Sequence, residues 1–458
     1  MTKVAIIGAG ITGLSAGFYL TRDGQDIEVD IYEKADHAGG KIKTYRKDGF
    51  VIELGPESYL SRKEALTDLA KEIGLEGDLV RNETGQAYIY ARHQLHPVPP
   101  GTMLGVPTEI MPFLTSSLIS VPGKLRALMD LAKGRTPLYT DVSAGSFFRE
   151  RLGDEVLENL IDPLLSGVYS TPIDKLSLMS TYPDFKHQEQ KYGSLIKGMI
   201  KAKQPKKNTK KVGQFFQFKN GLSSFIERLQ ERVASQNANL HFNSDVEAIV
   251  KSGEGYKVTV NGKEAHYDQV IITTPHFQYK RWFDDKELEY FKHMPATSVA
   301  TVVMSFDADQ VKNDIDGTGF VVSRNMDTSI TACTWTNKKW KHSTPEGKVL
   351  LRAYVGKPGD FIVEEKSEED ILRLARKDLD RIMDIEGEPE LKIVTKLKNS
   401  MPNYNVGHKE MIDGIHEHME ETYPGIQLIG ASHYAVGLPD CVKGGREAAE
   451  NVLSGSRS

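Results

Sequence analysis

The sequence predicts an α/β chain whose central parallel sheet is assembled from both of its ends. Three observations predict it. The apolar run Val4-Ala5-Ile6-Ile7 leads straight into the glycine-rich Gly8-Ala9-Gly10-Ile11-Thr12-Gly13. A second apolar run, Ile27 to Tyr32, closes on an acid at Glu33, and a third, Ile426-Gln427-Leu428-Ile429-Gly430, recurs near the far end of the chain. Short apolar runs bounded by turn residues and followed by helical periodicity are the pattern of buried strands in strand–helix–strand units.

Bulk composition admits this fold and excludes other classes. A chain of 458 residues has room for two or three domains with ample core. Apolar residues are 39% and charged residues 26%, and Lys+Arg 58 against Asp+Glu 63 leaves a net charge of -5. That is an ordinary globular composition with no nucleic-acid footprint. The 2 cysteines, Cys333 and Cys441, are too few for a disulfide framework or a four-thiolate metal site. Both read as buried thiols in a reducing, cytoplasmic compartment. No charged n-region and long apolar stretch precede the first strand, so no signal peptide is expected.

Each element follows in order. In the first turn Gly8 permits the bend, Gly10 lets a pyrophosphate approach the backbone, and Gly13 lets helix pack on strand. Leu14 to Arg22 reads as a helix aimed at that phosphate. Glu33, at the end of the second strand, is placed to accept hydrogen bonds from an adenosine ribose. A glycine turn alone is equally a structural feature; strand, helix, strand and terminal acid together read as a dinucleotide site. Glu33-Lys34 followed by Gly39-Gly40-Lys41 resembles the extended fingerprint of FAD-dependent oxidoreductases, in which a second glycine pair passes close to the flavin side of the pyrophosphate.

Phe50 to Leu54 reads as a strand and Gly55-Pro56-Glu57-Ser58 as a rigid turn after it. Residues 97–192 read as helical. From Met103 to Val121 only Glu109 is charged, but Pro107 and Pro112 interrupt the run and Pro122 ends it, so no helix of spanning length is expected. The run reads as helical core or, alternatively, as a surface that admits a greasy substrate or touches a membrane. The lysine-rich stretch 201–211 reads as a solvated loop, with attraction of anionic lipids or polycarboxylates as the alternative. Residues 222–235 have helical spacing; strands follow near Leu240 to Phe242, Asp245 to Ile249, Tyr256 to Val260 (turning through Asn261-Gly262) and Val270 to Thr274. Ser298 to Phe306, Gly319 to Ser323 and Lys348 to Val355 read as the sheet of a second domain, and Glu364 to Met383 as an amphipathic helix. Gly437-Leu438-Pro439-Asp440 reads as a turn into a helix from Val442 to Leu453, whose N-terminus offers free N–H groups and partial positive charge. His93 and His96, and His416 and His418, lack the register of a zinc site and read as surface histidines.

A narrower resemblance rests on Phe147-Phe148-Arg149-Glu150-Arg151-Leu152-Gly153-Asp154-Glu155, Pro163-Leu164-Leu165-Ser166-Gly167-Val168-Tyr169 and Asp174-Lys175-Leu176-Ser177, together with Gly55 to Ser58, Thr273-Thr274-Pro275 and Gly437 to Cys441. From Met1 to Leu453 the chain resembles the bacterial coproporphyrinogen III oxidase and protoporphyrinogen oxidase family, a branch of the amine-oxidase-like flavoproteins. The resemblance implies a discontinuous Rossmann-like FAD-binding domain (1–57, 212–276 and 420–458), a mixed-sheet substrate domain (58–96, 193–211 and 277–419) and a helical domain (97–192). It implies one noncovalent FAD, held by Gly8, Ala9, Gly10, Ile11, Thr12, Gly13, Glu33, Lys34, Gly40, Lys41, Gly55, Pro56, Glu57, Ser58, Val246, Val436, Gly437 and Leu438. Leu397 stands where relatives often carry a tryptophan against the flavin. Cys441 is not at the position of the covalent flavin thioethers. The implied activity is oxidation of coproporphyrinogen III by the flavin, with molecular oxygen as acceptor and no catalytic side chain. The alternatives are protoporphyrinogen IX oxidation, amine oxidation, carotenoid desaturation, or a haem-binding protein without catalysis. Arg62 and Lys63 are candidates for the propionates, or equally solvated charges at a helix start. A transient membrane-surface contact and hand-over to a downstream haem-pathway enzyme are further expectations; no metal or nucleic acid is expected.

Overall fold

The structure, a computed structural model, describes residues 1–455 apart from 25, 139–140, 204–211, 237, 313–314 and 435. Most of the lysine-rich stretch therefore lies outside the described residues. The chain passes repeatedly between two units, Met1–Arg81 with Gln214–Pro295 and Lys409–Ser458, and Asn82–Gly213 with Ala296–His408.

In the first unit a parallel sheet of five strands runs Ala238–His241, Ile27–Tyr32, Thr2–Ile7, Gln269–Ile272, Ile426–Leu428. Val4, Ala5, Ile6, Val270, Ile271 and Ile272 are fully buried, which is why these strands are unbroken apolar runs and do not alternate. The helices Ile11–Thr21, Leu222–Ser235 and Leu438–Gly455 supply Leu14, Phe18, Phe225, Leu229, Val442 and Val452 to the same core. A Cβ at Gly445 would stand 2.5 Å from the Thr12 carbonyl oxygen, so the C-terminal helix crosses the first helix at backbone contact. The first strand lies at the centre of the sheet with chain order reversing about it, and the carboxyl ends of such strands border a ligand crevice.

The strands expected in this unit form, including the hairpin through Asn261 and Gly262, both at positive φ. Two helices start earlier than their periodicity indicates. The first begins at Ile11. The last begins at Leu438, where a turn was expected; Pro439 sits in its first turn, where no intrahelical N–H bond is lost.

The second unit is built on a sheet of seven strands, in the order Leu391–Pro402, Ala296–Asp307, Lys348–Val355, Ile330–Trp335, Gly319–Val322, Ala87–Ala91, Gln94–Pro97. One face carries Val302, Met304, Leu351 and Ala353 against Ile371, Ala375 and Leu379 of the helix Glu368–Met383. That helix is preceded by a separate turn of helix, Ile362–Glu365, where a single long helix was expected. Ser367 and Asp370 form a capping box that starts the longer helix afresh.

The helical part of this unit buries Phe113, Phe147, Phe148, Leu157, Leu160 and Phe185 in one cluster. Its apolar run is part core and part exposed surface. A small hairpin, Thr102–Met103 with Val106–Pro107, and the short helix Ile110–Thr115 replace a continuous helix. Val106, Phe113, Leu118 and Ile119 are core, whereas Met103, Met111 and Val121 face solvent. Among the described residues no helix is long and apolar enough to cross a membrane.

Candidate functional site

The glycine turn after the first strand is shaped by contacts that no side chain could share. Gly8 has φ +104°, and a Cβ on Gly13 would stand 1.9 Å from the Gly8 carbonyl oxygen. Gly10 differs. It is the N-cap of the first helix, caps it with no side chain, and has nothing within 4 Å of where a Cβ would lie. The first-turn N–H groups of that helix have no carbonyl of the helix to bind, and the space beside Gly10 is open.

Glu33 leaves the second strand and turns back on this loop. Its Oε2 accepts from Ala9 N at 2.8 Å and its Oε1 from Ala35 N at 2.9 Å. Each carboxylate oxygen has a second lone pair, so holding the loop is compatible with receiving a ribose hydroxyl. The second glycine pair reaches the same loop: Gly39 N donates to Ala9 O at 2.9 Å, and a Cβ on Gly40 would lie 3.7 Å from Gly10 Cα. Lys34 is exposed. Lys41 is accessible to solvent, yet surrounding protein pushes its ammonium pKa down, the combination expected of a side chain lining a recess. Gly55 packs so closely on Lys41 that a Cβ would stand 1.9 Å from the Lys41 carbonyl oxygen. Pro56, Glu57 and Ser58 continue from it half-buried, with Gln217 Nε2 donating to Glu57 O at 2.8 Å.

The far end of the sequence arrives beside them. Val436 and Gly437 lead into the C-terminal helix at Leu438, and Asp440 in its first turn pairs with Lys63 at 2.5 Å. Lys63 is thus engaged at the helix start, while Arg62 is exposed. Cys441 is buried against Thr12, and burial pushes its thiol up to about 11. A thiol held protonated is a poor nucleophile. Val246 is buried, and Ser244, two residues before it, donates its N–H to Glu33 O at 2.8 Å. The Val246 carbonyl itself accepts from Trp282 Nε1 at 3.0 Å. Leu397 belongs to the second unit, opposite Val299 in its sheet.

Several supporting residues escaped sequence reading. Thr273 Oγ1 donates to Ile7 O at 3.0 Å and lies 3.1 Å from Gly8 O, fixing the turn from the neighbouring strand. Glu53 is buried; it accepts from Leu222 N at 2.6 Å and from Thr44 Oγ1 at 2.9 Å, serving as a remote cap for the helix Leu222–Ser235, where negative charge is favoured. The expectation of surface histidines holds for His93 alone. His96 is buried between Ser117 and the Ala91 carbonyl, His416 is half-buried against His433, and His418 pairs with Asp285 at 2.8 Å. In each case a partner distant in sequence draws the ring inward. No group of three metal-ligating side chains occurs among the described residues.

Comparison with known proteins gives the family. The family described as flavin containing amine oxidoreductase matches residues 11–453. The chain belongs to that family. It is 52% identical to the coproporphyrinogen III oxidase of Staphylococcus aureus, over 99% of this chain and 100% of that one, and 44% identical to the Bacillus subtilis protein of the same name, over 98% of each. The crystal structure of an Exiguobacterium sp. 255-15 protein assigned as a protoporphyrinogen oxidase superposes with a TM-score of 0.90 at 39% identity, covering 98% of both chains. This member of the flavin amine oxidoreductases is an FAD-dependent oxidoreductase. The cradle suits that cofactor: open space at Gly10, the start of a helix and the carboxylate of Glu33 match a pyrophosphate followed by a ribose.

Proposed function

We propose that this chain oxidises coproporphyrinogen III to coproporphyrin III in haem biosynthesis. The observation that carries the reading is 52% identity, across the full length of both chains, to a protein of that name. Bound FAD supplies hydride acceptance from the bridging methylenes of the macrocycle. The chain's part is to hold and orient it. Backbone N–H groups from Gly10 to Gly13 would bind the pyrophosphate, Glu33 the ribose, and the main chain at Val246 the adenine. Lys34, Gly40, Lys41 and Gly55 to Ser58 would flank the flavin side. Val436, Gly437 and Leu438 would present the positive end of the C-terminal helix to negative charge on the reduced ring, and Leu397 would fill the aromatic position of relatives with an aliphatic group. No acid–base side chain is assigned, because the protons can leave through solvent and the pyrrole nitrogens.

Molecular oxygen is the proposed acceptor. Three two-electron oxidations would consume three O2 and release three H2O2, so that hydrogens balance. The four propionates call for cations, and Arg62 is the better of the two candidates because Lys63 is engaged by Asp440. We also propose a transient membrane contact and hand-over of product to the next haem-pathway enzyme. In support, Val121, Leu125 and Met129 recur at four-residue spacing and are 68%, 62% and 63% exposed, a solvent-facing apolar stripe of the kind that meets a membrane or a partner.

The test is direct. The purified yellow protein receives coproporphyrinogen III, protoporphyrinogen IX and benzylamine separately under air. Porphyrin fluorescence with stoichiometric peroxide is expected fastest with the first; a faster reaction with the second would transfer the assignment to protoporphyrinogen IX, and reaction with benzylamine alone would overturn it.

A further inference from the structure

Behind the loop that enters the C-terminal helix lies a group of buried imidazoles that the cofactor cradle leaves unused. Ser432 and His433 follow the strand Ile426–Leu428; His276 and Tyr279 follow its neighbour Gln269–Ile272. All four are buried. Ser432 Oγ accepts from His276 N at 3.2 Å and lies 3.0 Å from His276 Nδ1, while His276 Nε2 is 3.0 Å from the Met294 carbonyl. A carbonyl only accepts, so Nε2 carries the hydrogen and Nδ1 receives the serine hydroxyl. Alongside, Tyr279 Oη is 2.8 Å from His433 Nε2, and His433 Nδ1 is 3.0 Å from His416 Nε2. The two loops are therefore stitched twice. His416 and His433 border a cavity of about 290 Å³ between the helices His408–Thr422 and Leu438–Gly455.

We propose that His433, with His416 and Tyr279, is a positioning unit that anchors the chain at Ser432–Tyr434, ahead of Val436–Leu438, and that it holds firmly while the imidazole pair is neutral. This rests on the reading that Val436–Leu438 meets the flavin. Between two neutral rings one N–H donates and one nitrogen accepts; a first proton leaves one N–H between the rings but puts an ammonium-like charge in a buried recess, and a second would turn N–H against N–H. The surroundings favour neutrality. Burial pushes His416 below its ordinary value, against the pull of Asp413 and Glu420 on its own helix, and burial likewise pushes His276 down, with Lys41 adding to the effect. Across the cavity stand Asp440, Lys443 and Glu447, of which Asp440 pairs with Lys63 and Glu447 with Lys443. Tyr434 donates to Asp413 at 2.6 Å, and His433 faces the Phe291 ring. A histidine favoured neutral in the fold contributes stability that is complete above its ordinary pKa of 6.5 and declines as pH falls below it.

The test follows FAD release from the diluted holoenzyme by flavin fluorescence. The wild-type release rate is expected to rise about fivefold from roughly pH 7.5 to roughly pH 5.5. His416→Gln and Tyr279→Phe, which keep size and polarity or ring packing, are expected to flatten that rise to within about twofold. Glu33→Gln is expected to speed release equally at every pH. A wild-type pH profile in both His416→Gln and Tyr279→Phe overturns the positioning unit; no effect of Glu33→Gln on release at any pH instead removes the cradle reading on which it stands.

Discussion

The glycine turn of the first unit and the helical part of the second handle buried polar groups in opposite ways. At Gly8, Gly10 and Gly13 side chains are absent, backbone packs on backbone, and open space lies beside the helix start at Gly10. In the second unit Arg151, Asp130 and Glu189 are fully buried and Lys186 nearly so, within a core of phenylalanine and leucine. Arg151 pairs with Asp130 and donates to Gly134 O at 2.7 Å; Asp130 also accepts from Ser194 Oγ at 2.5 Å and Ile196 N at 2.9 Å. Glu189 accepts from Thr136 N at 2.6 Å, and Lys186 donates to Pro137 O at 2.9 Å. These charges satisfy one another and leave nothing over. A helix start beside open space has room for a ligand, whereas a saturated set is architecture.

Substitutions can break that contrast. The largest effect is expected from Gly13→Ala. Its Cβ would meet the Gly8 carbonyl oxygen at 1.9 Å, backbone that cannot yield without separating the first helix from its strand. A cost of about 4 kcal/mol or more should appear as a colourless, poorly folded product in thermal melts.

Asp130→Asn comes next. It removes the charge that neutralises Arg151 where both side chains are fully buried, at a cost of about 3–5 kcal/mol in denaturant unfolding. If the cluster is architecture alone, FAD affinity of the folded fraction is unchanged; weaker FAD binding would show that the two regions are coupled.

These two sites also differ in what sequence could say of them. The turn was legible because its chemistry is local: strand, glycines, helix and Glu33 lie within one short stretch, and each residue type answers a steric or hydrogen-bonding need. The charge cluster was not. Asp130 and Arg151 are 21 residues apart and Arg151 and Glu189 are 38 apart, and charged residues spaced so read as solvent-facing by every local rule. His96 and His416 were misread for the same reason. The start of the C-terminal helix was obscured by a different cause, since Gly437 and Pro439 signal a turn although proline is tolerated in a helix's first turn.

Gly10→Ala sharpens the meaning of the open space. With nothing within 4 Å of the new methyl group, the apo fold should melt within about 1 °C of wild type, while FAD binding weakens at least about tenfold because the methyl occupies the phosphate's approach. Titration of apoenzyme with FAD checks this. Equal losses in apo stability and in FAD affinity would make Gly10 one more packing glycine.

The smallest effect on the fold is expected at the exposed stripe. Leu125 is 62% exposed, so Leu125→Asp removes little buried surface and should change stability by no more than about 0.5 kcal/mol. Ala127, two residues on, is fully buried, whereas the side chain at 125 lies out in water. Oxidation of a soluble porphyrinogen should therefore proceed at the wild-type rate. What should fall is co-sedimentation with vesicles containing anionic lipid, because a carboxylate replaces an apolar contact and repels the headgroups. Unchanged sedimentation would reduce the stripe to a surface irregularity. Loss of sedimentation with activity intact would mark it as the second unit's counterpart to the cradle: a place where exposed groups, left over after folding, are kept for a surface outside the chain.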